Sequence, residues 1–149
     1  MNLFDELVAV VGALDTAGIE YALVGGLAVG VWGAPRATKD IDLLVRPEDV
    51  APAKAAVRAH GYALAALPMK FADGMEMHRV SKIVDGQLMT IDFLLVDVNL
   101  EPVWASRERR DLETTKLTVV SREALIAMKL SAGRPQDQAD VVKLTEQDR

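Results

Sequence analysis

Cysteine is absent from the 149 residues. Disulfides and thiolate-held zinc go with it, although this alone does not fix the compartment. Histidine is scarce: His60 and His78 are the only two, neither has a partner at zinc-ligand spacing, and both read as structural. No Ser-His-Asp or Cys-His constellation can be assembled. Long apolar runs are also missing. The longest charge-free stretch, Tyr21 to Pro35, has 15 residues, four of them glycine, which is too short and too glycine-rich to span a bilayer. The start of the chain carries Asp5 and Glu6 where a secretion signal would be basic. No membrane association and a cytoplasmic location are therefore expected. Positive charge is lacking overall, since the net charge is −5, and this removes a general electrostatic reason to bind nucleic acid. The local balance differs: from Trp104 to Arg134 seven basic residues (Arg107, Arg109, Arg110, Lys116, Arg122, Lys129 and Arg134) stand against four acidic ones. That stretch reads either as a solvated face or as a basic rim around an anion.

What is present suits one globular domain over residues 1–149. Half of the residues are hydrophobic, and a chain of this length buries roughly 70% of its unfolded surface. Leu3, Leu7, Val10, Val11 and Leu14 recur at helical spacing and predict a helix over 2–17, stopped by Gly18. Tyr21 to Val24 predicts a short strand, 26–32 a small-residue helix, and Ile41 to Val45 a strand. Pro47 suits the first turn of a helix ending near His60-Gly61. Two strands, 75–84 and 88–96, flank the hairpin signal Asp85-Gly86. A helix is expected near Val103, then a strand over 117–120. Ser121 can cap a helix reaching Ala132, and Gly133 and Pro135 separate it from a last helix through Leu144. This is an α/β (α+β) order, a mixed sheet flanked by helices, with no linker long enough to divide it.

Asp40-Ile41-Asp42 places two carboxylates inside an otherwise hydrophobic strand. Side chains alternate along a strand, so the two acids share a face, roughly 6–7 Å apart, and Ile41 points into the core. Like charges that close repel unless water screens them or a cation lies between. A third carboxylate, Asp92, interrupts the apolar run Met89–Val96. A lone buried Asp is costly unless it is paired or ligates a metal. If the two strands are neighbours, Asp40, Asp42 and Asp92 converge with no fixed basic residue beside them. An all-oxygen set selects hard divalent ions, Mg²⁺ or Mn²⁺, and such ions stabilise in-line displacement at phosphorus. Gly25 and Gly26 precede a helix whose first N–H groups would form an anion site of the kind phosphate occupies.

Gly25-Gly26, a spacer of thirteen residues and then Asp40-Ile41-Asp42 resembles the signature of the DNA polymerase β-like nucleotidyltransferases. Within that superfamily, "GGLAVGVWGAPRATKDIDLLV" is similar to the AbiEii-type nucleotidyltransferases, and "LIAMKLSAGRPQDQADVVKL" to that group's C-terminal motif, with Gln136 where similar sequences often carry Lys. The resemblance implies the nucleotidyltransferase fold and transfer of a nucleoside monophosphate from an NTP to an acceptor, with release of pyrophosphate. The acceptor implied is RNA, tRNA-like, or protein, and the partner an antitoxin, since many relatives are toxins of toxin–antitoxin pairs. Asp40, Asp42 and Asp92 would be catalytic and hold Mg²⁺ or Mn²⁺, with Asp92 also a base for the acceptor hydroxyl. Gly25, Gly26, Arg36, Thr38 and Lys129 would bind the nucleotide. For Lys129 the plainer reading is a stem lying along an apolar helix with a solvated head; for Thr38 it is a loop-organising hydroxyl. Asp137 and Asp140 sit in the first turns of the last helix, where negative charge favours the helix dipole, and read as structural. The rival expectation is a catalytically silent nucleotide- or partner-binding module of the same fold.

Overall fold

A computed structural model describes residues 2–146. Helix α1 (Leu3–Thr16) begins at Asn2, whose side chain accepts the Asp5 N–H at 2.8 Å, and buries Leu7, Val10, Val11 and Leu14. Gly18 follows at φ +72°, the left-handed conformation that ends a helix. Strand β1 (Ala22–Val24) runs into helix α2 (Gly25–Val31) and, after a loop, strand β2 (Asp40–Val45). Pro47 opens a 3-10 turn rather than the helix itself, and α3 (Val50–Arg58) continues from it. The hairpin of β5 (Glu76–Val84) and β6 (Gln87–Leu95) closes at Asp85-Gly86, both at positive φ, as a tight two-residue turn requires. Then come α4 (Glu101–Ala105), β7 (Glu108–Leu112), β8 (Thr115–Val119), α5 (Arg122–Ala132) and α6 (Pro135–Glu146). The Ser121 hydroxyl caps α5 by accepting the Ala124 N–H at 3.0 Å.

Three strands lie outside the sequence reading. Strand β7 is Glu-Arg-Arg-Asp-Leu, without apolar alternation, because it forms a sheet edge, where charge discourages further pairing. Strands β3 (Leu64–Ala65) and β4 (Met69–Lys70) both pair with β5, but their registers differ by one residue. Residues 66–68 therefore oppose only 78 and 79, a bulge that contains Pro68 and blunts the other edge.

The sheet runs β3/β4–β5–β6–β2–β1–β8–β7 and is mixed, with β2–β6 and β1–β8 parallel and its other pairs antiparallel. One face packs on α1 and α3. There Lys82 of β5 reaches the buried Glu6 of α1 at 2.6 Å, and the Tyr62 hydroxyl donates to the same carboxylate at 2.6 Å. Ile41, Leu43, Ile91 and Phe93 point to that side, fully buried in the core. The opposite face of β2 and β6 carries the acidic residues; α2 packs against β2 there, with α5 on α2 and α6 on α5. Trp32, just past α2, donates its indole N–H to the Val120 carbonyl at 3.0 Å and so ties α2 to the end of β8. Among the described residues no helix is long and apolar enough to cross a membrane.

Candidate active site

The parallel pairing of β2 with β6 places Asp42 directly beside Asp92 and Asp40 beside Thr90. The three carboxylates therefore lie on neighbouring strands and one face, and Ile41 points into the core as alternation requires. Asp40 and Asp42 are half-buried, and neither forms a hydrogen bond or ion pair with another side chain among the described residues. Asp42 responds as an unneutralised acid must. Burial, then the charges of Asp92 and Asp40, push its pKa up to about 7. Burial and Asp92 raise Asp40 as well.

The expectation that no basic residue is fixed beside the three acids is overturned. Arg79 of β5 stands opposite Asp92 in the antiparallel register. Its Nε and Nη2 donate to the two carboxylate oxygens at 2.7 and 3.0 Å, a bidentate, charge-assisted pair. The signal was available in the sequence. A two-residue turn at Asp85-Gly86 fixes the register of its hairpin, and Arg79 lies as far before the turn as Asp92 lies after it.

The glycines meet the acids from the other side. Gly25 takes φ +72°, and a Cβ there would lie 2.2 Å from the Asp42 Oδ2. A Cβ on Gly26 would lie 2.8 Å from the Thr38 Oγ1 and 3.2 Å from the Arg36 Nη1. Gly25, Gly26, Arg36 and Thr38 thus gather at the start of α2, where no side chain caps the free N–H groups.

Arg36 and Lys129 are committed to another task. Arg36 donates through Nε and Nη2 to the two oxygens of Asp140, at 2.8 and 3.0 Å. Lys129 is buried and contacts Asp140 at 3.0 Å and Asp137 at 3.3 Å. Arg134 adds a second cation to Asp137 at 2.6 Å, and Gln136 donates to Asp140 at 3.0 Å. This clasp joins α5 and α6 to the loop before β2. Arg134 and Lys129 hold the Asp137 pKa low against burial, and at Asp140 burial is outweighed by hydrogen bonds from Arg36, Lys129 and Gln136. Asp137 and Asp140 are held by buried ion pairs with Lys129, Arg134 and Arg36, a contact stronger than the helix dipole invoked for them in the sequence. Lys129 reaches Asp42 only through its field, which lowers the Asp42 pKa.

The basic stretch is neutralised where it stands. Arg107 pairs with Glu20, Arg109 with Asp15, Arg110 with Glu108, Lys116 with Asp111, Arg122 with Glu123, and Lys129 and Arg134 with Asp137. This favours the solvated-face reading over a bare basic rim.

The residues fit a hard divalent cation in donor chemistry. Asp40 and Asp42 offer carboxylate oxygens that no side chain among the described residues engages. Asp92 fits only in part: with Arg79 on both oxygens, no three acidic or imidazole groups among the described residues are poised around one ion.

Residues 9–148 match the family model described as nucleotidyl transferase AbiEii toxin, type IV TA system. No curated protein matches the sequence. Among solved structures, the lincosamide antibiotic adenylyltransferase LnuA in its lincomycin-bound form superposes with a TM-score of 0.67 at 13% identity, covering 95% of each chain. A Thermotoga maritima protein described as a nucleotidyltransferase gives 0.66 at 17% identity, covering 98% of this chain and 93% of its own. ANT(2")-Ia in complex with adenylyl-2"-tobramycin gives 0.63 at 15% identity, with 94% and 85% covered. At these identities the likeness is one of fold.

Proposed function

The chain belongs to the AbiEii nucleotidyl transferase family, and from that premise we propose that it transfers a nucleoside monophosphate from an NTP to an acceptor hydroxyl at the Asp40–Asp42–Asp92 face. The observation that carries this reading is the β2–β6 register, which sets Asp42 between Asp92 and the Gly25 turn. Gly25 and Gly26 receive the triphosphate with backbone N–H groups, which a Cβ at either position would obstruct. The Thr38 side chain and the Arg36 Nη1 wall that cradle at Gly26. Lys129 acts at a distance, as a positive field behind Asp42 and the support of the α5–α6 clasp.

Asp40 and Asp42, joined by Asp92, are the residues that would hold Mg²⁺ or Mn²⁺. The ion would supply charge neutralisation at the phosphates and a lowered hydroxyl pKa. In the transfer, the acceptor oxygen bonds to the α-phosphorus and the bond to pyrophosphate breaks. The acceptor's proton passes to a carboxylate oxygen of Asp92. The acceptor we propose is RNA, tRNA-like, or protein; the family's toxin–antitoxin setting supports a toxin role with an antitoxin partner, and its use of NTP supports a cytoplasmic one.

The engagement of Asp92 by Arg79 favours a second reading, a catalytically silent nucleotide- or partner-binding module. One experiment separates the two. The purified chain is incubated with each α-labelled NTP, Mg²⁺ and total cellular RNA or protein, beside Asp42→Asn. Label transferred by the wild type and not by the variant supports the enzyme and identifies the acceptor class. Saturable NTP binding with no transfer to either pool supports the silent module.

A further inference from the structure

Arg79 and Asp92 form an unequal pair. The Asp92 side chain is 6% exposed, whereas that of Arg79 is 41% exposed. Among the described residues the Asp92 carboxylate has no other hydrogen-bond partner, and the Arg79 guanidinium has none but Asp92. The backbone of Arg79 is nonetheless fixed. It lies within the β5–β6 ladder, and its carbonyl accepts the Ala66 N–H at 3.1 Å from the edge-strand bulge. The arrangement is a rigid mount with a side chain able to swing into solvent.

A buried carboxylate cannot be left alone without large cost, so Asp92 requires a cation at all times. A guanidinium can leave for water at little cost, but only if another cation takes its place. A divalent ion shared with Asp42, the neighbour of Asp92 across the parallel pair, is that replacement. The guanidinium already engages both Asp92 oxygens, so an ion that chelates the same carboxylate competes with it.

Resting on the metal-site reading above, we propose that Arg79 is a positioning residue that holds Asp92 in place and competes with the divalent ion for it. Arg79 then sets the threshold of metal concentration at which the third carboxylate joins Asp40 and Asp42. It also reconciles the fully paired Asp92 with a working site, because the guanidinium gives way where the ion binds.

The test is Mn²⁺ binding to the full chain without nucleotide, followed through the electron paramagnetic resonance signal of the free ion. Wild type, Arg79→Ala, Arg79→Lys and Asp42→Asn are compared. Removing the competitor should tighten Mn²⁺ binding by about tenfold, the worth of roughly one charge-assisted hydrogen bond. A residue with only a structural role would leave affinity unchanged or weaken it. Arg79→Lys keeps the charge and loses the two-pronged contact, so its affinity should fall between the two; it carries the test alone if the Ala variant does not fold. Equal affinity in wild type and Arg79→Ala overturns the competition, as does a Lys variant that binds like wild type beside a tighter Ala variant, since that assigns the effect to net charge. Asp42→Asn separates the two levels: Mn²⁺ binding by the wild type, unaltered by Asp42→Asn, removes the metal-site reading and this inference with it. If neither the wild type nor Arg79→Ala binds Mn²⁺, both fall. Binding by Arg79→Ala alone is the strongest support.

Discussion

Gly25 and Asp42 occupy one space: a Cβ on Gly25 would stand 2.2 Å from the Asp42 Oδ2 and 3.0 Å from both its Cβ and Cγ. The whole carboxylate group, not its flexible end alone, would have to move. Gly18 shares the φ of +72° and has nothing within 4 Å. The two glycines therefore separate backbone strain from collision. Gly18→Ala should cost about 1 kcal/mol, the price of a left-handed backbone alone. Gly25→Ala should cost about 2–4 kcal/mol, adding displacement of a packed group, and should abolish NTP-induced stabilisation. Urea denaturation with and without NTP measures both; equal losses in the two variants would mean that the Gly25–Asp42 contact constrains nothing.

Asp42→Asn should alter stability in a pH-dependent way. The carboxyl's pKa is about 7 in the folded protein against an ordinary 3.8, so folding favours the protonated form. The contribution of Asp42 is intact below 3.8, declines as pH rises through 7, and is lowest above it. Asn cannot ionise and escapes that decline. The variant should match wild type near pH 4 and exceed it by roughly 1–3 kcal/mol at pH 8, less than an isolated shift of this size would give because the residue keeps some solvent contact. Denaturation across pH in metal-free buffer checks the sign. A variant weaker than wild type at pH 8 would make Asp42 a structural residue.

Lys129→Met should destabilise the protein by about 2–3 kcal/mol. It leaves Asp137 and Asp140, both 1% exposed, with Arg134 and Arg36 but without their shared central cation, and breaking a buried pair is costly. Lys143→Met, on an exposed turn of α6, should stay within about 0.5 kcal/mol. Chemical denaturation near neutral pH compares them. The clasp should also fail in acid, since the lowered pKa values of Asp137 and Asp140 mean stability that is present above their ordinary range and lost as pH falls through the folded values. Equal behaviour of the two lysine variants would return Lys129 to the role of an exposed stem.

The same comparison shows where the sequence is readable. Periodicity located α1, α5 and the β5–β6 hairpin, because each has an amphipathic or apolar pattern bounded by a cap or turn residue. Alternation put Asp40 and Asp42 on one face. What escaped was edge structure and pairing. Strands β3, β4 and β7 bury little, so no hydrophobic pattern marks them. The β2–β6 adjacency joins segments far apart in the chain, and only the topology establishes it. Lys129 illustrates the limit most clearly: a lone lysine in an apolar helix gives no sign of whether its ammonium meets solvent, phosphate or, as here, two aspartates ten residues or so further on. Arg79 is the opposite case, recoverable from the hairpin register, yet its meaning depended on knowing that Asp92 faces Asp42.

The charge of Asp92 should be the larger of the two electrostatic influences on Asp42. Asp92 stands directly across the parallel pair, whereas Asp40 lies two residues along the same strand, and after burial Asp92 is the stronger cause of the raised Asp42 pKa. Asp92→Asn should therefore lower the Asp42 pKa more than Asp40→Asn does. It removes the nearer charge and also frees the Arg79 guanidinium, whose field already pulls the Asp42 pKa down. Carboxyl ¹³C titration by NMR in metal-free buffer reads the value directly. An Asp42 that still titrates near 7 in Asp92→Asn would strike Asp92 from the causes of its shift, leaving burial and Asp40. Asp42 and Asp92 would then be neighbours without being coupled, and a cation shared between them would lose its electrostatic motive.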